Sequence, residues 1–346
     1  MKIAIICDTH FGARNDHPVY LDHFLDFFEN VFFPTLDERG IKTVIHLGDL
    51  MDRRKYVNFN TLAETRRRFV QPLLDRGISP YIILGNHDVY YRNTNEVNCV
   101  QELFRTEMNL IDTPQIVDFD GLPIAFVPWI NKENEQRSME FISSCKAPIL
   151  MGHLELLGYE VQRNTLSHEG MDAGAFSRFE AVYSGHYHCK HSKGNIHYLG
   201  TPYQFTFGDL YEPKGFHIFD TQTREVEYIR NPVTLYHSVE YDDTKNDYYE
   251  KMPDLTAYAN GFVRVVVRNK TNPVMFDRFV EKLNESKVHG VNVLQDKDLG
   301  VNTEEEVDAS KDTLTLINAE IDALKVDNPA KLKQIMRDLY NESLFS

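Results

Sequence analysis

Five short polar clusters, each directly behind an apolar run, constrain this chain more than any other feature: Asp8-x-His10, Gly48-Asp49-x-x-Asp52, Gly85-Asn86-His87-Asp88, Gly152-His153 and Gly185-His186-x-His188. A short apolar run bounded by polar residues reads as a buried strand, which puts each cluster on the loop at a strand's end. A fold that serves all five therefore sets five strand ends along one edge of its sheets. In extended backbone, residues i and i+2 point the same way, so Asp8 with His10, and His186 with His188, can reach a common point. A glycine opens four of the clusters and permits the sharp turns such convergence needs.

The donors are imidazoles, carboxylates and one amide oxygen, without a thiolate. That mixture suits manganese, iron or zinc rather than a cysteine-rich structural zinc site. Asp8, His10, Asp49, Asn86, His153, His186 and His188 are too many for one ion but fit two ions sharing a carboxylate. Two ions roughly 3.5–4 Å apart polarise a phosphate and activate a bridging water. Each cluster alone has a plainer use, as a loop pair, a turn or a satisfied buried histidine. Their order, each behind a strand, favours the metal reading. His17, His23, His46, His168, His191 and His197 fall outside the clusters, and His46, inside a strand-like run, reads as core.

The first half alternates strand-like runs (2–7, 42–47, 80–84) with helix-like ones (17–33, 59–74, 95–104), a βαβαβ rhythm that predicts a sheet covered by helices. Leu21, Phe24, Leu25 and Phe28 recur at helical spacing, and Pro34 is expected to stop that helix. Beyond about residue 114, strand-like runs follow at 116–119, 124–127, 148–151, 181–183, 196–199, 215–219 and 225–229, the first two joined by the hairpin signal Asp120-Gly121. The expected class is α/β, a two-sheet sandwich flanked by helices rather than one doubly wound sheet.

Four segments are expected: a main domain over 1–232; a small α/β cap over 233–302, with a strand at 261–268 and a helix at 274–283; an acidic linker over 303–312; and a helical hairpin over 313–346. The hairpin's stripes are Leu314, Ile317, Ile321 and Leu324, then Leu332, Ile335, Met336 and Leu339 behind the Asn328-Pro329 helix start. Two such stripes need cover, either from the protein's own body or from a partner's helix pair.

At 346 residues the chain has room for one large core and a smaller unit. No apolar run approaches the roughly 20 residues of a membrane helix, and the apolar stretch ending at Asp8 is too short for a signal peptide, so no membrane role and a cytoplasmic location are expected. The four cysteines form no C-x-x-C pair and read as reduced thiols. A formal charge of −15 argues against a stand-alone nucleic-acid binder and leaves any such contact to a local strip. Arg53, Arg54 and Lys55, abutting Asp49, are the candidate strip, whereas Arg66, Arg67 and Arg68 read as exposed helix surface.

Taken together, over about residues 1–220, the clusters resemble the calcineurin-like metallophosphoesterase superfamily. The resemblance implies that superfamily's two-sheet sandwich and two manganese ions, with magnesium as the alternative. Asp8, His10, Asp49 and His188 would hold the first ion, and Asp49, Asn86, His153 and His186 the second. His87 would protonate the leaving oxygen, with Asp88 orienting it.

Within the superfamily, three features are similar to the SbcD-type DNA repair nucleases. The third cluster ends in Asp88, where protein serine/threonine phosphatases typically carry Glu. The run Tyr198 to Pro202, Gly208-Asp209, Lys214-Gly215-Phe216 looks like that family's link to its last core strands. The order of phosphoesterase domain, cap, linker and hairpin is the same. That family implies 3′ to 5′ exonuclease action on duplex ends, endonuclease action on single strands, and a coiled-coil ATPase of the ABC/SMC type bound by the hairpin. It also implies a homodimer formed through the helices at 59–74 and 95–104. The length and Pro128-Trp129 are similar to the recombination nuclease subunits of T-even-like phages, for which the compartment is the host cytoplasm.

One departure is Asp52, where many cellular members carry a phosphate-positioning histidine, so Asp52 joins Arg53, Arg54 and Lys55 as the expected DNA contacts. Asp52-Arg53-Arg54 also resembles the Asp-Arg-Gly of protein phosphatases, which keeps a phosphatase or small-molecule phosphodiesterase open. A DNA-tethering assembly subunit with an idle site is the third reading, and the complete ligand set weighs against it.

Overall fold

In the first sheet, alternate residues of one strand face two different cores. The computed structural model describes residues 1–295, 321 and 331–336, and the chain divides into two units after Asp296. Strands β1 (Lys2–Ile6), β2 (Thr43–His46), β3 (Ser79–Ile83) and β4 (Asn109–Ile111) pair in parallel in that order. Ile3, Ile5 and Cys7 turn toward the second sheet, while Ala4 and Ile6 turn toward the helices. A strand covered on both faces has no need of polar alternation, which is why these runs are continuously apolar.

The second sheet comprises β5 (Gln115–Phe119), β6 (Leu122–Val127), β7 (Ile149–His153), β8 (Ala181–Gly185), β9 (His191–Lys193) and β10 (Ile196–Tyr198), in the order β9-β10-β8-β7-β6-β5. β5 and β6 form the expected hairpin, with Asp120 and Gly121 at φ 61° and 82° in the turn. The chain then returns to the first sheet through β11 (Gly215–Asp220) and β12 (Val226–Arg230), antiparallel additions beside β1. The architecture is thus mixed α/β with two large sheets. Ile124, Phe126, Ile149 and Met151 meet Ile3, Ile5, Ile45 and Ile83 in the layer between them.

Helices cover the outer faces. α1 (Pro18–Phe27) runs through a π-helical stretch, Phe28–Phe32, into α2 (Phe33–Arg39). Pro34 therefore does not stop the helix, contrary to expectation. The wider turn just before it accommodates the ring and the missing N–H that would break a regular α-helix. The same device recurs in α3 (Phe59–Thr65), where the π-helical stretch Arg66–Val70 precedes Pro72 in α4 (Gln71–Asp75). The two bulges pack together, with the rings of Phe28 and Phe69 4.5 Å apart.

Arg68 is a second correction. It is buried rather than exposed, 9% accessible, and meets Asp22, Asp26 and Glu29 at 3.0, 2.6 and 2.7 Å. Three carboxylates on the facing helix compensate the cost of burying one guanidinium. α5 (Cys99–Phe104) begins later than expected, where Asn98 accepts from the Gln101 amide, and α6 (Glu135–Ser144) lies over the second sheet.

β13 (Tyr236–Asp242), β14 (Phe262–Asn269) and β15 (Gly290–Gln295) form a parallel three-stranded sheet under α7 (Pro273–Glu285), with Tyr241, Val263, Val265 and Phe279 in its core. This sheet is joined firmly to the sandwich. Gln204 Oε1 accepts the amides of Leu235 and Tyr236, both at 3.0 Å, and the Tyr20 ring stacks on Phe262.

Of the second unit, Ile321 and residues 331–336 are helical, with Ile321 buried and Ile335 exposed. Leu332 and Met336 both lie within the helical residues 331–336. Leu314, Ile317, Leu324 and Leu339 and the expected linker lie outside the described residues. Among the described residues, no helix is long and apolar enough to cross a membrane.

Candidate metal centre

The five strand ends converge, although Asp8, His10 and His186 reach the common region from left-handed rather than the expected extended backbone. β1 delivers Asp8 and His10, β2 Asp49 and Asp52, β3 Asn86, His87 and Asp88, β7 His153, and β8 His186 and His188. Donor atoms of Asp8, His10 and His188 lie within 4.8 Å of one another, and so do those of Asp49, His153 and His186. Asp49 stands between the two groups, its Oδ2 3.5 Å from His10 Nε2 and 3.5 Å from His153 Nε2. Asn86 Oδ1 completes the second group at 3.0 Å from His153 Nε2 and 2.9 Å from His186 Nδ1. In the first group, His10 Nε2 and His188 Nε2 are 3.2 Å apart.

Several contacts fix these side chains from behind. His153 Nδ1 lies 2.7 Å from the Leu47 carbonyl, to which it donates, so that Nε2 is the nitrogen that faces Asp49. Asp8 accepts the His186 amide, and Asp49 Oδ1 accepts the His87 amide at 2.8 Å. Four of the converging residues hold left-handed backbone that non-glycine residues rarely adopt: Asp8, His10, Asp49 and His186, at φ 52°, 43°, 57° and 88°. The glycines therefore serve differently from expectation. Gly48 does turn the chain, at φ 88°, and a Cβ there would lie 2.6 Å from His153 Nδ1. Gly85 has no positive φ; its value is space, because a Cβ would run into Asp49 Oδ1 and the Asp49 amide.

The centre is buried and electrically divided. Burial favours neutral His10 and His153, but Asp52 and Asp49 around the first, and Asp49 around the second, outweigh it and raise both to about 9. Burial and the charge on His153 push His186 down to about 3, and burial with the His10 charge lowers His188. Despite burial, the charges of His153 and His87 hold the Asp49 carboxyl well below its usual range. Buried imidazoles alternating with carboxylates at these separations, with free nitrogens turned inward, are a donor set that fits divalent cations.

Some expected residues occupy other positions. Asp88 does not orient the His87 ring. It is fully buried, its Oδ2 accepts the amides of Asp49 (2.8 Å) and Gly85 (2.9 Å), and its Oδ1 accepts that of Leu50 (2.9 Å). The His87 ring instead has Nδ1 2.5 Å from the Asp52 carbonyl oxygen. The Asp52 carboxylate lies 3.5 Å from His10 Nδ1, so it faces a candidate ligand rather than open solvent. Arg53 is engaged by Asp16 at 2.9 Å and by Asn15 at 2.7 Å, Arg54 is half-buried and Lys55 exposed. His46 is core, with Nε2 3.0 Å from Thr9 Oγ1 and its pKa lowered by burial to about 3.

Sequence reasoning missed three supports. The ring of Phe205 lies 5.5 Å from both His10 and His188, and that of Trp129 5.3 Å from His186. Lys214 is buried, paired with Asp209 at 2.6 Å and Glu212 at 3.2 Å, and donates to the His188 carbonyl at 3.0 Å. Trp129 follows β6 at the same sheet edge as the candidate donors and was findable by that rule. Nothing in the pattern around Lys214 marks a buried lysine.

The calcineurin-like phosphoesterase family model matches residues 1–190. The chain is 32% identical over 328 residues to exonuclease subunit 1 of Enterobacteria phage T4, covering 94% of this chain and 93% of that protein. It is 24% identical over 261 residues to the SbcD component of the nuclease SbcCD from Staphylococcus saprophyticus and 23% identical over 254 residues to that of Staphylococcus epidermidis. Both matches cover 65% of this chain and 67% of the relative.

Proposed function

The chain belongs to the calcineurin-like phosphoesterase family, and from that premise we propose that it is a manganese-dependent DNA nuclease acting at DNA ends with an ATPase partner. The observation that carries this reading is the position of Asp49, whose one oxygen is 3.5 Å from an imidazole of each donor group. That is the arrangement a shared carboxylate needs. The phage exonuclease and SbcCD relatives support DNA as the substrate.

In this reading Asp8, His10, Asp49 and His188 hold one cation, and Asp49, Asn86, His153 and His186 the other. When bound, the cations supply Lewis acidity toward the phosphate and lower the pKa of water. The chain's own residues do the rest. With Nδ1–H donated to the Asp52 carbonyl, His87 carries any second proton on Nε2; as a water oxygen bonds to phosphorus and the P–O bond to the leaving oxygen breaks, the leaving oxygen takes that proton. Asp52 orients His10 and, through its carbonyl, His87. Asp88 ties the Asp49 and Gly85 loops together by their amides.

Arg54 and Lys55, with Arg53 when it leaves Asp16, make the local cationic strip. Exonuclease action runs 3′ to 5′ on duplex ends, with endonuclease action on single strands. The stripes at Leu314 to Leu324 and Leu332 to Leu339 bind the coiled coil of the ATPase, and the segments 59–74 and 95–104 form the homodimer.

The test uses the purified chain, end-labelled linear duplex DNA, and manganese, magnesium or EDTA, beside His87→Ala. Manganese-dependent shortening of the labelled strand that the variant lacks is the expected result. Intact DNA alongside His87-dependent hydrolysis of an aryl phosphate would reassign the chain to the phosphatases.

A further inference from the structure

The loop after His87 carries two exposed tyrosines that the metal centre does not use. Tyr90 and Tyr91 are 37% and 52% exposed. Their rings meet edge to face, 4.7 Å between centroids at 70°. Two partly exposed rings thus stand only three and four residues from His87.

The loop that bears them is built rigidly. Its base is closed by a bridge between Val89 and Asn98 and by the Tyr90 amide donating to the Val97 carbonyl at 2.9 Å. Asn95 and Asn131 then tie it to the segment that follows β6, which Asn134 braces from the other side. Asn95 Nδ2 and Asn134 Nδ2 both donate to the Trp129 carbonyl, at 3.0 and 2.9 Å. Asn131 Nδ2 donates to Asn95 Oδ1 at 2.8 Å. Trp129 is itself held to the first sheet, its amide donating to the Leu84 carbonyl at 2.8 Å, and its ring lies 5.3 Å from His186. These contacts hold the backbone of the loop that carries Tyr90 and Tyr91 beside the metal centre. Ordering an exposed aromatic pair gains little from burial and makes sense where the rings receive a flat partner at low entropic cost.

We propose that Tyr90 and Tyr91 form a stacking platform for unpaired nucleobases of the strand whose phosphate lies at His87. This rests on the nuclease reading above and adds a base-contacting subsite to it. Base stacking on aromatic rings is tolerant of sequence because every base offers a π-face. It suits an enzyme that frays a duplex end or cuts single strands. It also answers how a chain of net charge −15 holds DNA: part of the grip comes from base faces rather than from phosphate charge.

The experiment measures equilibrium binding of the full chain to two fluorescent single strands of equal length, oligo-dT and its abasic counterpart, with calcium in place of manganese. Wild type, Tyr90→Ala/Tyr91→Ala and Tyr90→Phe/Tyr91→Phe are compared. Wild type is expected to bind oligo-dT roughly tenfold or more tighter than the abasic strand. The alanine pair loses that preference, and the phenylalanine pair, which keeps the ring faces, retains it. Equal binding of the two strands by wild type overturns the platform, as does full preference in the alanine pair. In either case continued manganese-dependent cleavage by wild type leaves the nuclease reading standing. Binding of neither strand, with no cleavage, overturns both. Altered self-association in the alanine pair with unchanged strand preference assigns the tyrosines to a protein contact instead.

Discussion

Asp8, His10, Asp49 and His186 hold left-handed backbone that costs each of them about 1–3 kcal/mol. Such strain persists only where neighbours over-determine it, and Asp88 is the clearest of those neighbours, a buried carboxylate whose two oxygens accept four amides from two loops. Asp88→Asn should therefore lower stability by at least ~2 kcal/mol and weaken manganese binding, while leaving the pH profile of catalysis in place. Thermal unfolding and a pH–rate profile check this, and a shifted profile with unchanged stability would restore the orienting role expected from sequence. Gly85→Ala puts a Cβ against Asp49 Oδ1. The variant should fold, by circular dichroism, yet bind no metal by calorimetry. The donor residues were legible because their chemistry and their place behind apolar runs are local signals, whereas the i, i+2 argument does not describe Asp8, His10 and His186, which hold left-handed rather than extended backbone. The task of Asp88 was not, because its partners are main-chain amides that only the folded loops bring near.

At the scale of elements, two helices each absorb a proline through a wide turn and lock together through Phe28, Phe69 and Arg68. Arg68→Ala should cost about 1–2 kcal/mol at neutral pH, from lost packing of its stem and lost pairing with partly exposed acids. The pH dependence has a definite sign. The Arg68 hydrogen bond depresses the Glu29 pKa in the folded state, so its contribution is present above the unfolded carboxyl pKa of about 4.3 and fades as pH falls through the lower folded value. The deficit of the variant, followed by denaturant unfolding from pH 7 to pH 3, should be full at pH 7 and shrink below about pH 4; a constant deficit would assign it to packing alone. Strands and the Asp120-Gly121 hairpin were readable because apolar runs and turn residues are local signals. The π-helical stretches were not, since one extra residue per turn barely disturbs a stripe spaced three and four. Nor was Arg68, whose burial depends on acids some 40 residues earlier.

For the whole molecule, the centre is assembled from loops of both sheets, so cations that bind it bind only the folded chain. Manganese at a hundred times its dissociation constant should stabilise the fold by about 2.7 kcal/mol per site, and EDTA should remove that gain. Differential scanning calorimetry with and without EDTA reads this directly. The two-sheet sandwich followed from the succession of short strand-like runs beyond about residue 114, too many for one doubly wound sheet. The all-parallel order of the small sheet and its firm joint to the sandwich through Gln204 did not follow, because pairing order and long-range caps leave no periodic trace.

The most direct test of the shared-carboxylate centre is an anomalous difference map from crystals soaked in manganese. Two peaks roughly 3.5–4 Å apart are expected, one against Asp8, His10 and His188, the other against Asn86, His153 and His186, with Asp49 between them. A single peak, or manganese bound away from Asp49, would contradict the two-ion account.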